Sequence, residues 1–135
     1  MTGESRPEPP GATASSSSPL VQRLAIIGLG LIGASVGLAC RARGLAGEIR
    51  GADEEPDHCT HAIALGVVDQ AFSDAAAAVE GADLILLAVP VGAMVPTIER
   101  IVPHLAPGAV VTDVGSVKGP VAAAMERLLP GGNGV

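Results

Sequence analysis

The chain has 135 residues, a net charge of −6 and a single aromatic residue, Phe72. That length makes one domain. Eight Lys and Arg against fourteen Asp and Glu leave no basic stripe for phosphates, and one ring offers no stacking platform for bases, so nucleic acid is not an expected partner.

Residues 1–20, MTGESRPEPPGATASSSSPL, are polar, rich in Pro and Ser and without an apolar period, the composition of a disordered tail. They read poorly as a signal peptide, because no apolar stretch precedes Arg23 and no small-residue cleavage site follows one. Residues 21–130 are expected to form the domain and 131–135 a truncated end. About 110 residues suffice for one core that buries roughly 65% of the unfolded surface. Cys40 and Cys59 fit no disulfide or zinc spacing and read as reduced thiols of a cytoplasmic protein.

From Leu24 onward, short apolar runs alternate with stretches of helical period. LAIIG, 24–28, predicts a strand, followed by a helix over about 31–43 that stops at Gly44. EIRGAD predicts the second strand, closing on Asp53, and Pro56 opens a helix that runs to Leu65 before Gly66. Val67 and Val68 predict a very short third strand, and Ser73 the cap of a short helix ending at Gly81. DLILLAVP, 83–90, is a continuous apolar run and predicts a strand buried on both faces. A helix to about Val102, stopped by Pro103, then a strand in AVVTDV, 109–114, and a last helix opened by Gly119 and Pro120 complete the order. Strands alternating with helices imply right-handed crossovers and a parallel sheet, an α/β doubly wound fold of Rossmann type.

The segment LAIIGLGLIGASVGLAC, 24–40, passes seventeen residues without a charge yet holds four glycines. A membrane span needs about 20 apolar residues, although the Gly33 to Gly37 spacing also suits a small-residue helix contact in a bilayer. A buried helix would lose about 1 kcal/mol at each of Gly28 and Gly30. A dinucleotide site accounts for each glycine of G-L-G-L-I-G. Gly28 permits a tight turn after the strand, Gly30 lets the backbone approach a pyrophosphate, and Gly33 lets helix and strand pack closely. Leu31 and Ile32 then open the helix whose free N–H groups face the phosphates. Asp53 lies 20 residues after Gly33, at a strand end, where a carboxylate would accept both ribose hydroxyls. Glu54 and Glu55 follow, and no Lys or Arg appears until Arg100, so the expected cofactor is NAD rather than NADP. Arg50, earlier on the strand, is the cation whose reach would reverse that preference.

Ligands of open parallel sheets sit beyond the carboxyl ends of the strands. Besides 28–33 and Asp53, AVP at 88–90 and TDVGSVKG at 112–119 lie there, which adds Val89 and Pro90 to the cofactor site. Asp113, Ser116 and Lys118 are candidates to face the crevice. The plainer alternative has Asp113 and Ser116 capping the next helix, with Lys118 solvated. DHCTH, 57–61, places Asp57 and His61 one helical turn apart, but zinc needs three or four ligands and nothing else converges. A solvated helix face is the expected reading, and no metal is expected.

IIGLGLIGASVGLA, ALGVVDQA, LLAVPVGA and PHLAPGAVVTDVGSVKG together resemble the nucleotide-binding half of prephenate and arogenate dehydrogenases, over residues 23 to about 130. The glycine motif alone fits many hydroxyacid and imine reductases; TDVGSVKG after LAVPV is much more specific. The resemblance implies NAD-dependent oxidative decarboxylation of prephenate or arogenate, in tyrosine biosynthesis. It places on Ser116 the serine that orients a catalytic histidine, and it gives Asp113 and Lys118 only a part in shaping the site. Ala34 stands where the family commonly repeats glycine. In the family the catalytic histidine lies in a later Gly-His-Pro, followed by a helical domain that binds substrate and makes the homodimer. These 135 residues contain neither, so this stretch alone is expected to be inactive. His58 and His61 are expected beside the adenosine end of the site, and His104 near the opposite strand ends. A non-catalytic NAD-binding module, another hydroxyacid or imine reductase, and a membrane anchor are the alternatives.

Overall fold

The order of the chain follows from where its apolar residues recur. The structure, a computed structural model, describes residues 19–114 and Arg127. Strands β1 (Val21–Ile27), β2 (Ala46–Ala52), β3 (Gln70–Phe72), β4 (Leu84–Leu87) and β5 (Val110–Asp113) form one parallel sheet, in the order β3-β2-β1-β4-β5. Helices α1 (Leu31–Ala42), α2 (Pro56–Ala64), the single turn α3 (Ala75–Ala78) and α4 (Val91–Ile101) connect them, and α4 passes into a 3-10 turn at Val102–His104. This is the strand order of a doubly wound dinucleotide fold.

Successive side chains of a strand point to opposite faces, and here both faces are covered. Ala25, Ile27, Ile85 and Leu87 pack with Val79 and with Met94, Ile98 and Ile101 of α4. On the other face Leu24, Ile26, Ile49 and Leu86 pack with Ala62, Val67 and Val68. No polar or charged residue is buried among the described residues. Charges hold the amino-terminal rim instead. There Asp83 Oδ2 accepts the N–H groups of Gln22 (2.8 Å) and Arg23 (2.9 Å), and Glu48 pairs with Arg23 (2.7 Å) and Arg50 (3.1 Å). The Arg23 and Arg50 guanidinium groups hold the Glu48 carboxyl below the usual carboxylate range.

Several boundaries differ from the sequence reading. β1 begins three residues before Leu24, and β2 ends at Ala52, one short of Asp53. Val67 and Val68 are buried but form no strand; β3 is Gln70–Phe72. The reason is the end of α2. Gly66, at φ 75°, turns the chain so that its N–H reaches the Ile63 carbonyl and the Val67 N–H reaches that of Ala62. That closes the helix in a Schellman motif and removes Val67 from any ladder. Asp74 rather than Ser73 caps α3, accepting the Ala76 N–H at 3.1 Å. Pro103 lies inside the 3-10 turn instead of ending α4 abruptly, and Pro96 sits within α4 itself.

The predicted tail, the last helix and the segment after it lie outside the described residues. No helix among the described residues is long and apolar enough to cross a membrane. The Gly33–Gly37 pair serves a packing contact within the domain. A Cβ at Gly37 would strike Val67 Cγ1 at 2.5 Å and Ile26 Cδ1 at 3.1 Å. The two cysteines are unpaired, and burial pushes both thiols up from their ordinary range, which leaves them weak nucleophiles.

Ile85 is fully buried where β4 meets α4. Ile85→Ala is expected to lower unfolding free energy by about 2–5 kcal/mol in urea titration, as large-to-small core changes do. Leu31→Ala, at a residue 85% exposed, should stay within about 0.5 kcal/mol. Equal losses in the two variants would contradict the packing described.

Candidate functional site

Polar groups excluded from the core gather beyond the carboxyl ends of the strands. The chain leaves β1 for β2 on one side, while β4 and β5 lie on the other, and a crevice opens at that switch point. It has a volume of about 1300 Å³. Ligand clefts commonly span about 300–1,000 Å³, so this one leaves room for an extended molecule. A smaller hollow of about 290 Å³, beside Cys59, Thr60 and Phe72, shares Asp53 with it.

The loop between β1 and α1 forms the floor. Gly28 has φ 103°, a conformation that L side chains rarely adopt, and a Cβ there would lie 2.6 Å from the Ala88 carbonyl oxygen. A Cβ at Gly33 would fall on the Gly28 carbonyl oxygen. Gly30 differs: it lines the cleft, and a Cβ on it would meet no atom of the described residues beyond its chain neighbours within 4 Å. The space over Gly30 is therefore a cradle that a side chain would fill. Gly30 also caps α1 without any side-chain hydrogen bond, and the first turn carries no acid. The free N–H groups and positive dipole end of α1 are thus available to an anion. The residues present fit the pyrophosphate of a dinucleotide.

Asp53 stands at the far side of that loop, only 12% exposed. Its Oδ2 accepts the Leu29 N–H at 2.7 Å, and its Oδ1 accepts the Glu55 N–H at 2.8 Å. His58 Nδ1 lies 3.0 Å from Oδ2. Burial pushes the Asp53 carboxyl up, but the Glu55 and Leu29 N–H groups and the His58 imidazole outweigh it and hold the carboxyl below the usual range. The group is a carboxylate at neutral pH, able to accept but not to donate.

The opposite wall carries an ion pair that sequence reasoning misses. Arg100 of α4 grips Asp74 with both arms, Nε to Oδ1 at 3.1 Å and Nη2 to Oδ2 at 2.6 Å. Its guanidinium holds the Asp74 carboxyl below the usual carboxylate range, helped by the Ala76 N–H. Arg100 is the sole Lys or Arg among the described residues that line the cleft, and it is already engaged. Arg50 does not reach across; it binds Glu48 and the Glu80 carbonyl (3.2 Å).

Of the residues singled out from sequence, Gly28, Gly30, Leu31, Ile32, Asp53, Val89 and Pro90 all line the cleft. Gly33 lies beneath the floor, buried at the start of α1. Asp113 ends β5 opposite Leu87, and the next residue, Val114, reaches the cleft instead. Ser116 and Lys118 lie outside the described residues. His61 lies on α2, and His104 approaches Glu80 (3.7 Å) at the other rim. Among the described residues no three His, Cys, Asp or Glu side chains converge to hold a metal ion. The His58 contact follows from its place five residues after Asp53, in the first turn of the helix beside it. Asp74 is a better cap than its neighbour Ser73 because its carboxylate serves both the helix and Arg100.

Comparison with known proteins places this geometry. The family described as "Prephenate dehydrogenase, nucleotide-binding domain" matches residues 36–135, beginning just after the glycine loop. A cyclohexadienyl dehydrogenase of Zymomonas mobilis is 37% identical over 109 residues, covering 81% of this chain and 37% of that enzyme. The crystal structure of prephenate dehydrogenase from A. aeolicus, in complex with hydroxyphenyl propionate and NAD+, superposes with a TM-score of 0.76 at 29% identity, over 83% of this chain and 40% of that one. Synechocystis arogenate dehydrogenase gives a TM-score of 0.75 at 36% identity, over 82% of this chain and 38% of its own. The chain thus spans well under half the length of these relatives. With its family match, its strand order and its glycine-floored cleft, the chain belongs to the prephenate dehydrogenase family, in the part that forms the nucleotide-binding domain.

Proposed function

We propose that this domain binds NAD in the cleft and serves a dehydrogenase that oxidises prephenate or arogenate. Asp53 carries the reading. A carboxylate fixed by backbone donors beside the glycine loop offers acceptors to a ribose. A 2′-phosphate in the same place would meet Asp53, Glu54 and Glu55, with Arg100 already held by Asp74. The Gly28–Gly33 loop takes the pyrophosphate, and Val89 and Pro90 border the path toward the nicotinamide.

The chemistry supplied by bound NAD is acceptance of a hydride, here from the hydroxyl-bearing ring carbon as carbon dioxide leaves and the ring becomes aromatic. The domain's own part is to present the cofactor in the register that the substrate-binding domain completes; holding both reactants so can contribute about 7–11 kcal/mol to lowering the barrier. Ser116 is a positioning residue that orients the histidine which removes the hydroxyl proton; Lys118 shapes the site around it, and Asp113, at the end of β5, does so only from behind Val114. The relatives named for prephenate, cyclohexadienyl and arogenate substrates support this reading.

Three measurements test it. NAD should bind more tightly than NADP by roughly 10- to 150-fold, the worth of a charged hydrogen bond, and Asp53→Ala should erase most of that ratio. Equal affinities before substitution would overturn the assignment of NAD. Gly30→Val should unfold within about 1 kcal/mol of the parent, since a Cβ there meets no atom of the described residues beyond its chain neighbours, yet lose NAD binding in calorimetry. Retained binding would mean that the phosphates lie elsewhere. In the whole enzyme that carries this domain, Ser116→Ala should lower kcat by about 10²-fold, with NAD affinity unchanged. An unaltered kcat would remove Ser116 from the mechanism.

A further inference from the structure

We infer that His58 is a specificity-determining residue of the nucleotide site, whose imidazole locks the Asp53 carboxylate in the pose that selects a free 2′-hydroxyl over a 2′-phosphate. The inference rests on the NAD reading above and assigns to it a residue outside the glycine motif.

His58 is the third residue of α2, and its side chain is 45% exposed where it borders the cleft. Because the ionised carboxylate only accepts, His58 Nδ1 must carry the proton in its 3.0 Å contact with Oδ2. Among the described residues it is the sole side-chain donor to that carboxylate; the other two donors are backbone N–H groups. Its sequence neighbours at 54, 55, 57 and 59 cannot replace it. Glu54, Glu55 and Asp57 are acids, and the Cys59 thiol points at the carbonyl oxygens of Asp53 (3.5 Å) and Phe72 (3.6 Å).

Leu29, Glu55 and His58 together fill about three of the four acceptor directions of the carboxylate, which leaves Oδ1 to meet the ribose. Each oxygen takes one backbone donor, and His58 adds a second donor to Oδ2 that narrows rotation about the Cβ–Cγ bond. Without it, one donor remains on each oxygen and the carboxylate is held less sharply in the pose that meets the ribose. The attraction for a 2′-hydroxyl and the repulsion of a 2′-phosphate then both weaken, so affinity for NAD falls while that for NADP does not.

The test is titration of the full chain with NADH and NADPH, followed by cofactor fluorescence, which is free of protein background in a chain without Trp. His58→Ala should lower the ratio of the NADPH Kd to the NADH Kd by roughly two- to tenfold, the worth of one hydrogen bond. His58→Asn, whose amide nitrogen occupies the place of Nδ1, should restore the ratio. A merely structural role would weaken both cofactors equally and leave the ratio alone. An unchanged or larger ratio in His58→Ala overturns the inference. So does a His58→Asn variant that melts like the parent yet fails to restore the ratio. Lack of NADH preference in the unsubstituted chain would instead overturn the NAD reading, and that arm is measured separately.

Discussion

Asp53 joins three segments that are far apart in the chain. Its carboxylate holds the loop after β1 through Leu29 and the start of α2 through Glu55, and its backbone N–H donates to the Phe72 carbonyl at 3.0 Å at the end of β3. A charged group accepting backbone N–H bonds in a half-buried place is worth more than a neutral pair. The carboxylate is therefore both a recognition group and a brace, and the two duties do not separate. The brace sets the distance between the glycine loop and the ribose end of the cleft.

That arrangement depends in turn on an interior in which, among the described residues, no polar side chain is buried. When the core takes only apolar side chains, charges are left to helix surfaces and to the rims of the sheet, and the two rims become chemically distinct. One rim is closed by Arg23, Glu48, Arg50 and Asp83 binding each other and the backbone. The other keeps uncapped helix ends at α1 and α4 and acids that face open space. Fold and site are thus one solution to where polar groups can go.

Much of this is legible in the sequence because it is local. Continuous apolar runs mark β1 and β4, Gly44 and Gly66 mark two helix ends, and the glycine spacing with Asp53 marks the cleft. What escapes is decided by competition or by distance in the chain. Val67 and Val68 have strand composition, yet the Val67 N–H serves the closure of α2, and only the three-dimensional path shows it. Ser73 and Asp74 are both capping residues, and the choice between them follows from Arg100, 26 residues away. Arg50 reads as a cation near the ribose until Glu48, two residues before it, is seen to draw it toward the opposite rim.

The tight approach of the loop to β4 carries a consequence for how positions 28, 33 and 88 can change over evolutionary time. A Cβ at 28 would press on the Ala88 backbone, and one at 33 would come within 3.3 Å of the Ala88 side chain. The three positions therefore share a single volume, and enlarging any one evicts another. None can drift independently while the sheet keeps its spacing. The same crowding means that the phosphate floor is completed by folding itself, so a ligand meets a surface with little left to order and loses correspondingly little entropy on arrival.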